Sequence, residues 1–325
     1  RGAPPAAAPP RGTPMGRYIA RRLVQLVPVV FGITLVLFVL LRLLPGDPAS
    51  AMLGDHATDE AVRRIDQQYG LGRPIYIQYF FYLRTLATFN LGMSIKYGVP
   101  VSSLLFHRLQ VSLSVVAMTL VLTLLIAIPL GILAALKKDS WLDNLVRSTF
   151  MVLMLMPSFW VGILLIIFFS VRLGLFPVSG FGASPLDHLH HLFLPGLTIA
   201  LGLSPILIRT LRSSILEALD ADYVKTARAK GLRERVVITT HVLRNALIPS
   251  LTLLGLSIGG LMGGTVILEK VFALPGAGAL LIDSINARDY PVVQAATMIF
   301  AAMVILVNLA TDILYSVLDP RVRYS

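Results

Sequence analysis

The segment 111–136 carries no charged residue, and this stretch limits the chain more than any other feature. About 20 apolar residues are needed to cross some 30 Å of hydrocarbon as a helix. In lipid the backbone must satisfy its own hydrogen bonds, so such a segment is helical. Five further segments are predominantly apolar, with any charge near an end: 24–44, 145–171, 193–208, 246–268 and 292–318. The fourth of the six is short and broken by Pro195 and Pro205. The pattern predicts an all-α polytopic membrane protein with about six transmembrane helices. Only 14% of the residues are charged, against about 25% in a soluble domain. The charges collect between the apolar segments.

The net charge is +11. In a soluble chain that would point to nucleic acid. In a membrane protein it reflects the retention of Lys and Arg on the cytoplasmic side. With the N-terminus inside, 18 of the 28 Lys and Arg residues fall on the cytoplasmic side, while Asp and Glu divide nearly evenly. This asymmetry predicts cytoplasmic N- and C-termini and argues against nucleic acid as a partner. The absence of cysteine excludes disulfides, thiolate metal sites and cysteine nucleophiles. Residues 1–14, rich in Pro, Ala and Gly, read as a disordered extension, with Met15 the natural start.

The outer region 45–107 is too long for a simple connector. It opens on a stiff turn at Pro45, Gly46, Asp47 and Pro48. An amphipathic helix is expected over 59–69, with Val62, Ile65 and Tyr69 on one face and Gly70 as its stop. A second opens at Pro74, with Tyr79, Phe80, Leu83 and Ala87 in one stripe. Such stripes pack on the bundle or touch a soluble partner.

No span carries a charge near its middle, which disfavours ion-driven transport. There is no phosphate-binding glycine loop and no zinc or serine–histidine constellation, so the chain is not expected to be an enzyme or to hydrolyse ATP. In the fifth span Gly255, Gly259 and Gly263 recur at four-residue spacing, a flat stripe for helix packing or gating. Pro129, Pro157 and Pro205 permit kinks. His188, His190 and His191 cluster before the fourth span at a spacing that matches no metal site, and no metal is expected.

The basic loop 213–244 lies between the fourth and fifth spans. Asp222 or Asp220 is placed to cap a short helix over 223–230. Lys225, Arg228 and Lys230 lie toward its C-terminal end, where the helix dipole favours cations. Gly231 can supply the left-handed residue that stops it. A second helix would put Val236, Thr240, Leu243 and Leu247 on one face. Two roles fit this loop: a basic helix lying on anionic lipid headgroups, or a rigid knob presented to a soluble protein. Its shortness and the small residues Thr226, Ala227 and Ala229 suit insertion into a protein cleft.

From Asp222 to Leu232 the loop resembles the coupling-loop signature of the permease subunits of bacterial ABC importers, in their peptide-importing branch. The likeness continues through Arg244, Asn245, Ala246, Leu247, Ile248 and Pro249. It includes Leu43 to Pro48, Pro157 to Trp160, Glu269 to Phe272, and Pro275 and Gly276. The wider family has Glu-Ala-Ala where Lys225, Thr226 and Ala227 stand here, and a proline at Arg244. These departures suit the dipeptide, oligopeptide, nickel and glutathione branch.

The resemblance implies a type I importer permease in the bacterial inner membrane. Its parts would be a first span 15–44, a periplasmic helical region 45–107, a five-helix core 108–318 and a cytoplasmic tail 319–325. It implies a second homologous permease, two cytoplasmic ATPases and a periplasmic or lipid-anchored solute-binding protein as partners. ATP and Mg would be bound by the ATPases, with no cofactor on this chain. Asp222, Tyr223, Lys225, Thr226, Ala227, Arg228, Lys230 and Gly231 would be the ATPase-coupling residues. Di- or oligopeptides are the implied cargo, with nickel or glutathione as alternatives, and no substrate-binding residues are assigned. A motor-free channel or scaffold is the reading from another class.

Overall fold

A computed structural model describes residues 15–42, 58–60, 62–63, 72–88 and 90–318. The expected extension 1–14, the turn at 45–48 and the tail 319–325 lie outside the described residues, as does most of the 59–69 helix. Helix α1 is Met15–Arg42 and α2 is Ile75–Ala87. Helix α3 is Val101–Leu136, α4 is Trp141–Leu155 and α5 is Ser158–Arg172. Helix α6 is Pro185–Asp220, α7 is Asp222–Ala229 and α8 is Glu234–Val271. Helix α9 is Ala277–Asn286 and α10 is Tyr290–Leu318. Four of these, α3, α6, α8 and α10, are long and apolar enough to cross a membrane among the described residues, and α4 with α5 makes a fifth if counted together. The first expected span lies in α1, whose apolar stretch Val27–Val39 is shorter.

Three expectations about the spans change. The segment 145–171 is not one straight span: α4 and α5 meet at 109° around Pro157. Proline disfavours a helical residue before it and suits the first turn after it, and here Met156 is extended while α5 begins at Ser158. The fourth span is neither short nor broken. Ser184 caps α6, its Oγ accepting the Asp187 N–H at 3.2 Å, and Pro185 opens it. The helix then runs through Pro195 and Pro205. The histidines expected in a loop therefore lie in its first turns. Much of the expected loop 213–244 is helix too, since α6 ends at Asp220 and α8 starts at Glu234.

The core is layered along α3 and α6, which run side by side in the same direction. Val111, Val115 and Val116 of α3 meet Leu192, Leu194 and Ile199 of α6, together with Leu261, Met262 and Leu268 of α8. Further along, Ala127 and Ala134 meet Leu207 and Ile208, with Val146 and Phe150 of α4 and Leu254 of α8. In lipid, close packing rather than exclusion from water holds helices together, so small residues at such contacts matter.

The stripe expected on α2 is partly redirected. Tyr82 is buried, and Tyr79 meets α1 through Thr34 (Oη to Oγ1 2.8 Å) and edge-on against Phe31 and Phe38. Phe80 points outward and is 65% exposed. This helix therefore packs on α1 through its tyrosines.

The glycine stripe divides as well. A Cβ on Gly255 would stand 2.5 Å from Thr311 Cγ2, and one on Gly259 would stand 2.8 Å from Asn308 Oδ1, so both admit α10. Thr311 Oγ1 also donates to the Gly255 carbonyl at 3.1 Å. Gly263 meets nothing within 4 Å among the described residues. The two positions should therefore respond oppositely. Gly255→Leu should lower stability by about 1–3 kcal/mol through overpacking. Gly263→Ala should be neutral or stabilise by up to about 1 kcal/mol through helix propensity. Thermal unfolding of the two variants in one detergent checks this, and the reverse order would refute the assignment.

Candidate coupling surface

Helix α7 stops through a complete hydrogen-bonded turn. Gly231 takes φ +75°, a left-handed conformation that costs a non-glycine residue about 1–2 kcal/mol. Its N–H donates to Arg228 O at 2.9 Å, and the Leu232 N–H donates to Ala227 O at 3.3 Å. That pair of bonds closes the helix and satisfies its last carbonyls. The start differs from expectation. Ala221 is the cap residue and no side chain caps the helix, while Asp222 is its first helical residue. There the Asp222 carboxylate complements the dipole and pairs with Lys225 at 3.0 Å.

The helix has a buried side and an outward side. Val224 and Ala227 are 0% and 5% exposed, packed on Ala135 of α3, Leu211, Ile215 and Ala218 of α6, and Val237, Val242 and Ala246 of α8. Ala227 is thus not on the surface that a partner could reach, because the helical repeat that exposes its neighbours turns it inward. Asp222, Tyr223, Lys225, Thr226, Arg228, Lys230 and Gly231 are exposed. Arg228 is held from within the chain by Glu234, with Nη2 to Oε1 at 2.6 Å and Nε to Oε2 at 3.2 Å. Those hydrogen bonds hold the Arg228 proton still more tightly than usual. Among the described residues Lys230 makes no ion pair.

The helix after α7 presents the expected face only in its second half, where Leu243 and Leu247 are half-buried against the same cluster as α7. Val236 and Thr240 are exposed, and Val237, Val242 and Ala246 are buried. Residues Val237–Val242 form a π-helical turn, whose wider repeat shifts the phase of the buried face relative to an α-helix.

Three buried carboxylates, none singled out from the sequence as a site, fix the elements around this surface and at the far end of the bundle. Asp143, in the first turn of α4, is fully buried and receives both Arg212 Nε (2.9 Å) and Nη2 (2.6 Å) from α6. It also accepts the backbone N–H of Asp139 at 3.0 Å, a residue with φ +61°. The spacing of Ser140 and Asp143 was the available signal, since it matches a helix-start pattern. At the far end, Glu269 is fully buried in α8. It accepts the Ser112 hydroxyl of α3 at 2.6 Å and the Ala279 N–H of α9 at 2.9 Å. Ser112 Oγ in turn accepts the Ala277 N–H at 2.9 Å. A Cβ on Gly276 would overlap the Glu269 carboxylate. Lys270 and Asp283 form an exposed pair alongside. Asp289 is buried too and collects the Ser94 hydroxyl and the N–H groups of Ile95 and Lys96.

The histidines are engaged one by one. His190 Nε2 lies 2.8 Å from Leu175 O, His191 Nδ1 lies 2.9 Å from Asp187 O, and His188 stacks on Phe181 at 4.1 Å. No group of three or more His, Asp or Glu residues converges on a common point among the described residues.

The family described as binding-protein-dependent transport system inner membrane component matches residues 127–324, and its N-terminal companion model matches residues 15–127. This chain is an ABC importer permease of that family. The permease is 42% identical over 313 residues to a peptide transport system permease protein of Brucella abortus, covering 95% of this chain and 100% of the relative. It is 39% identical over 316 residues to an oligopeptide transport system permease protein of Bacillus subtilis, with the same coverage. Its fold resembles a chain of the MetNI methionine ABC transporter in an inward-facing conformation, with TM-score 0.57 and 17% identity, covering 68% of the permease and 98% of that chain. The permease is therefore a multi-pass inner-membrane protein with a type I importer fold. Residues 222–231 of its coupling-loop resemblance lie on α7 and its stop.

Proposed function

We propose that the permease imports di- or oligopeptides, driven by ATPases that dock on the outward side of α7. The observation that carries this reading is α7 itself: a short helix fixed from inside by Val224 and Ala227, stopped at Gly231, with Tyr223, Lys225, Thr226, Arg228 and Lys230 outward. A rigid exposed element is what a motor needs in order to push on a bundle. The peptide cargo is supported by the names of full-length relatives from two organisms. The Lys and Arg asymmetry supports cytoplasmic termini, which puts α7 on the ATPase side and region 45–107 with α9 on the periplasmic side.

In this reading two ATPases carry ATP and Mg, a second homologous permease completes the path, and a periplasmic or lipid-anchored binding protein delivers the peptide. Among the described residues Gly260, Gly263 and Gly264 meet nothing within 4 Å, and they give α8 a flat side that the second permease would approach. Purification of the tagged permease from its native membrane in mild detergent tests the assembly. An ATPase, a second permease and a binding protein should co-purify, and the binding protein should hold a peptide. A bound nickel ion or glutathione would redirect the cargo within the family, and a permease that gates solute flux without any ATPase would refute the coupling.

A further inference from the structure

Helix α6 stands between two contacts of different kinds near its cytoplasmic end. Leu211, Ile215 and Ala218 grip α7, while Leu207, Ile208 and Arg212 face α4. The α4 contact combines an apolar patch, Val146 and Phe150, with the buried fork of Arg212 on Asp143. An apolar patch resists separation but lets helices slide and roll. A two-pronged guanidinium–carboxylate contact fixes both distance and orientation. Burying an ion pair is costly, and an apolar pair of similar size would stabilise the fold at least as well. Stability alone therefore does not account for it. The carboxylate is aimed by one further contact, the Asp139 N–H that donates to it, and the Asp143 backbone is held by Ser140 Oγ, which accepts its N–H at 3.3 Å.

We propose that the Asp143–Arg212 pair is the positioning contact that carries displacement of α7 through α6 into α4. The inference rests on the coupling role given to α7 above. Rolling α6 without this fork would leave α4 behind, so ATP would be spent without moving that side of the bundle.

The test uses the complete complex, with its ATPases and binding protein, in liposomes. Asp143→Asn and Arg212→Lys should leave ATPase co-purification and basal hydrolysis intact. Peptide transported per ATP hydrolysed should fall about tenfold, within the range one coupling contact commands. The double change Asp143→Arg with Arg212→Asp should recover part of it, because the ion pair returns while the Asp139 N–H loses its acceptor.

The absence of cysteine permits a direct readout. Spin labels at Ser148→Cys on α4 and Glu217→Cys on α6, both exposed, should keep one separation in nucleotide-free and ATP-trapped complexes. In Asp143→Asn the two states should give different separations. Unchanged transport per ATP in both single variants would overturn the proposal, as would a wild-type separation that already differs between states. Failure of the wild-type chain to bind any ATPase would instead overturn the coupling role of α7, and this inference with it.

Discussion

Gly231→Pro should abolish substrate-stimulated ATP hydrolysis in the complex while leaving the transmembrane bundle folded. Gly231 holds φ +75°, whereas proline is locked near −65°. Proline also lacks the N–H that donates to Arg228 O at 2.9 Å. Both losses fall on the one turn that ends α7. The helix could no longer close at Lys230, and Tyr223, Lys225 and Arg228 would lose their fixed placement. The bundle should survive, because the layers formed by α3, α4, α6 and α8 do not include Gly231. Gly231→Ala makes a graded companion. It keeps the N–H and its Cβ meets nothing within 4 Å among the described residues, so its cost is backbone strain of about 1–2 kcal/mol. Stimulated hydrolysis should therefore fall in the order Gly, Ala, Pro, with little change in detergent stability of the permease alone. Wild-type stimulation in Gly231→Pro would remove α7 as the route of coupling. Ala227→Leu would be a poorer probe: Ala227 is 5% exposed within the chain's own core, so a bulky residue there would disturb folding and docking together.

The elements that could be read from the sequence are those whose cause is local. Apolar length announces a membrane helix, and α3, α8 and α10 follow, whereas the apolar run 193–208 is less than half of α6. A glycine after a run of cations announces a helix stop, and Gly231 is one. The stretches where local reasoning slipped have competing local solutions. Pro157 can kink a span or divide it, and the sequence does not say which. A π-helical turn at Val237–Val242 leaves no compositional mark, yet it moves the buried face away from Val236 and Thr240. Ala227 and Ala229 look alike as small residues, and only the packing of α7 separates the buried one from the exposed one. Least legible are the buried charges. Ser112 and Glu269 are 157 residues apart, Asp143 and Arg212 are 69 apart, and Ser94 and Asp289 are 195 apart. Periodicity within one helix carries no information about a partner on another. Each of these carboxylates also lies near the end of a helix or between helices, where a charge looks ordinary.

The second large effect is expected at Glu269. Its carboxylate faces donors only: the Ser112 hydroxyl at 2.6 Å and the Ala279 N–H at 2.9 Å, with Ser112 itself fixed by the Ala277 N–H. Glu269→Ala would leave two buried donors unpaired, each costing about 1–3 kcal/mol, and would open a void beside them. A loss of about 3–6 kcal/mol is expected, enough to release α9 from α3 and α8. Glu269→Gln discriminates this account from simple space-filling. The amide has the right volume, but one of its two ends becomes a donor and must face a donor, so it should recover only part of the loss. Gly276→Ala should weaken the same place by the opposite route, because its Cβ would displace the carboxylate that Glu269→Ala deletes. The two defects act on one contact, so the double variant should be no worse than the poorer single one. Thermal unfolding in detergent, with proteolysis near Pro275 as a local report, measures all four. Glu269→Ala with wild-type unfolding, or losses that simply add, would show that the carboxylate does not hold α9.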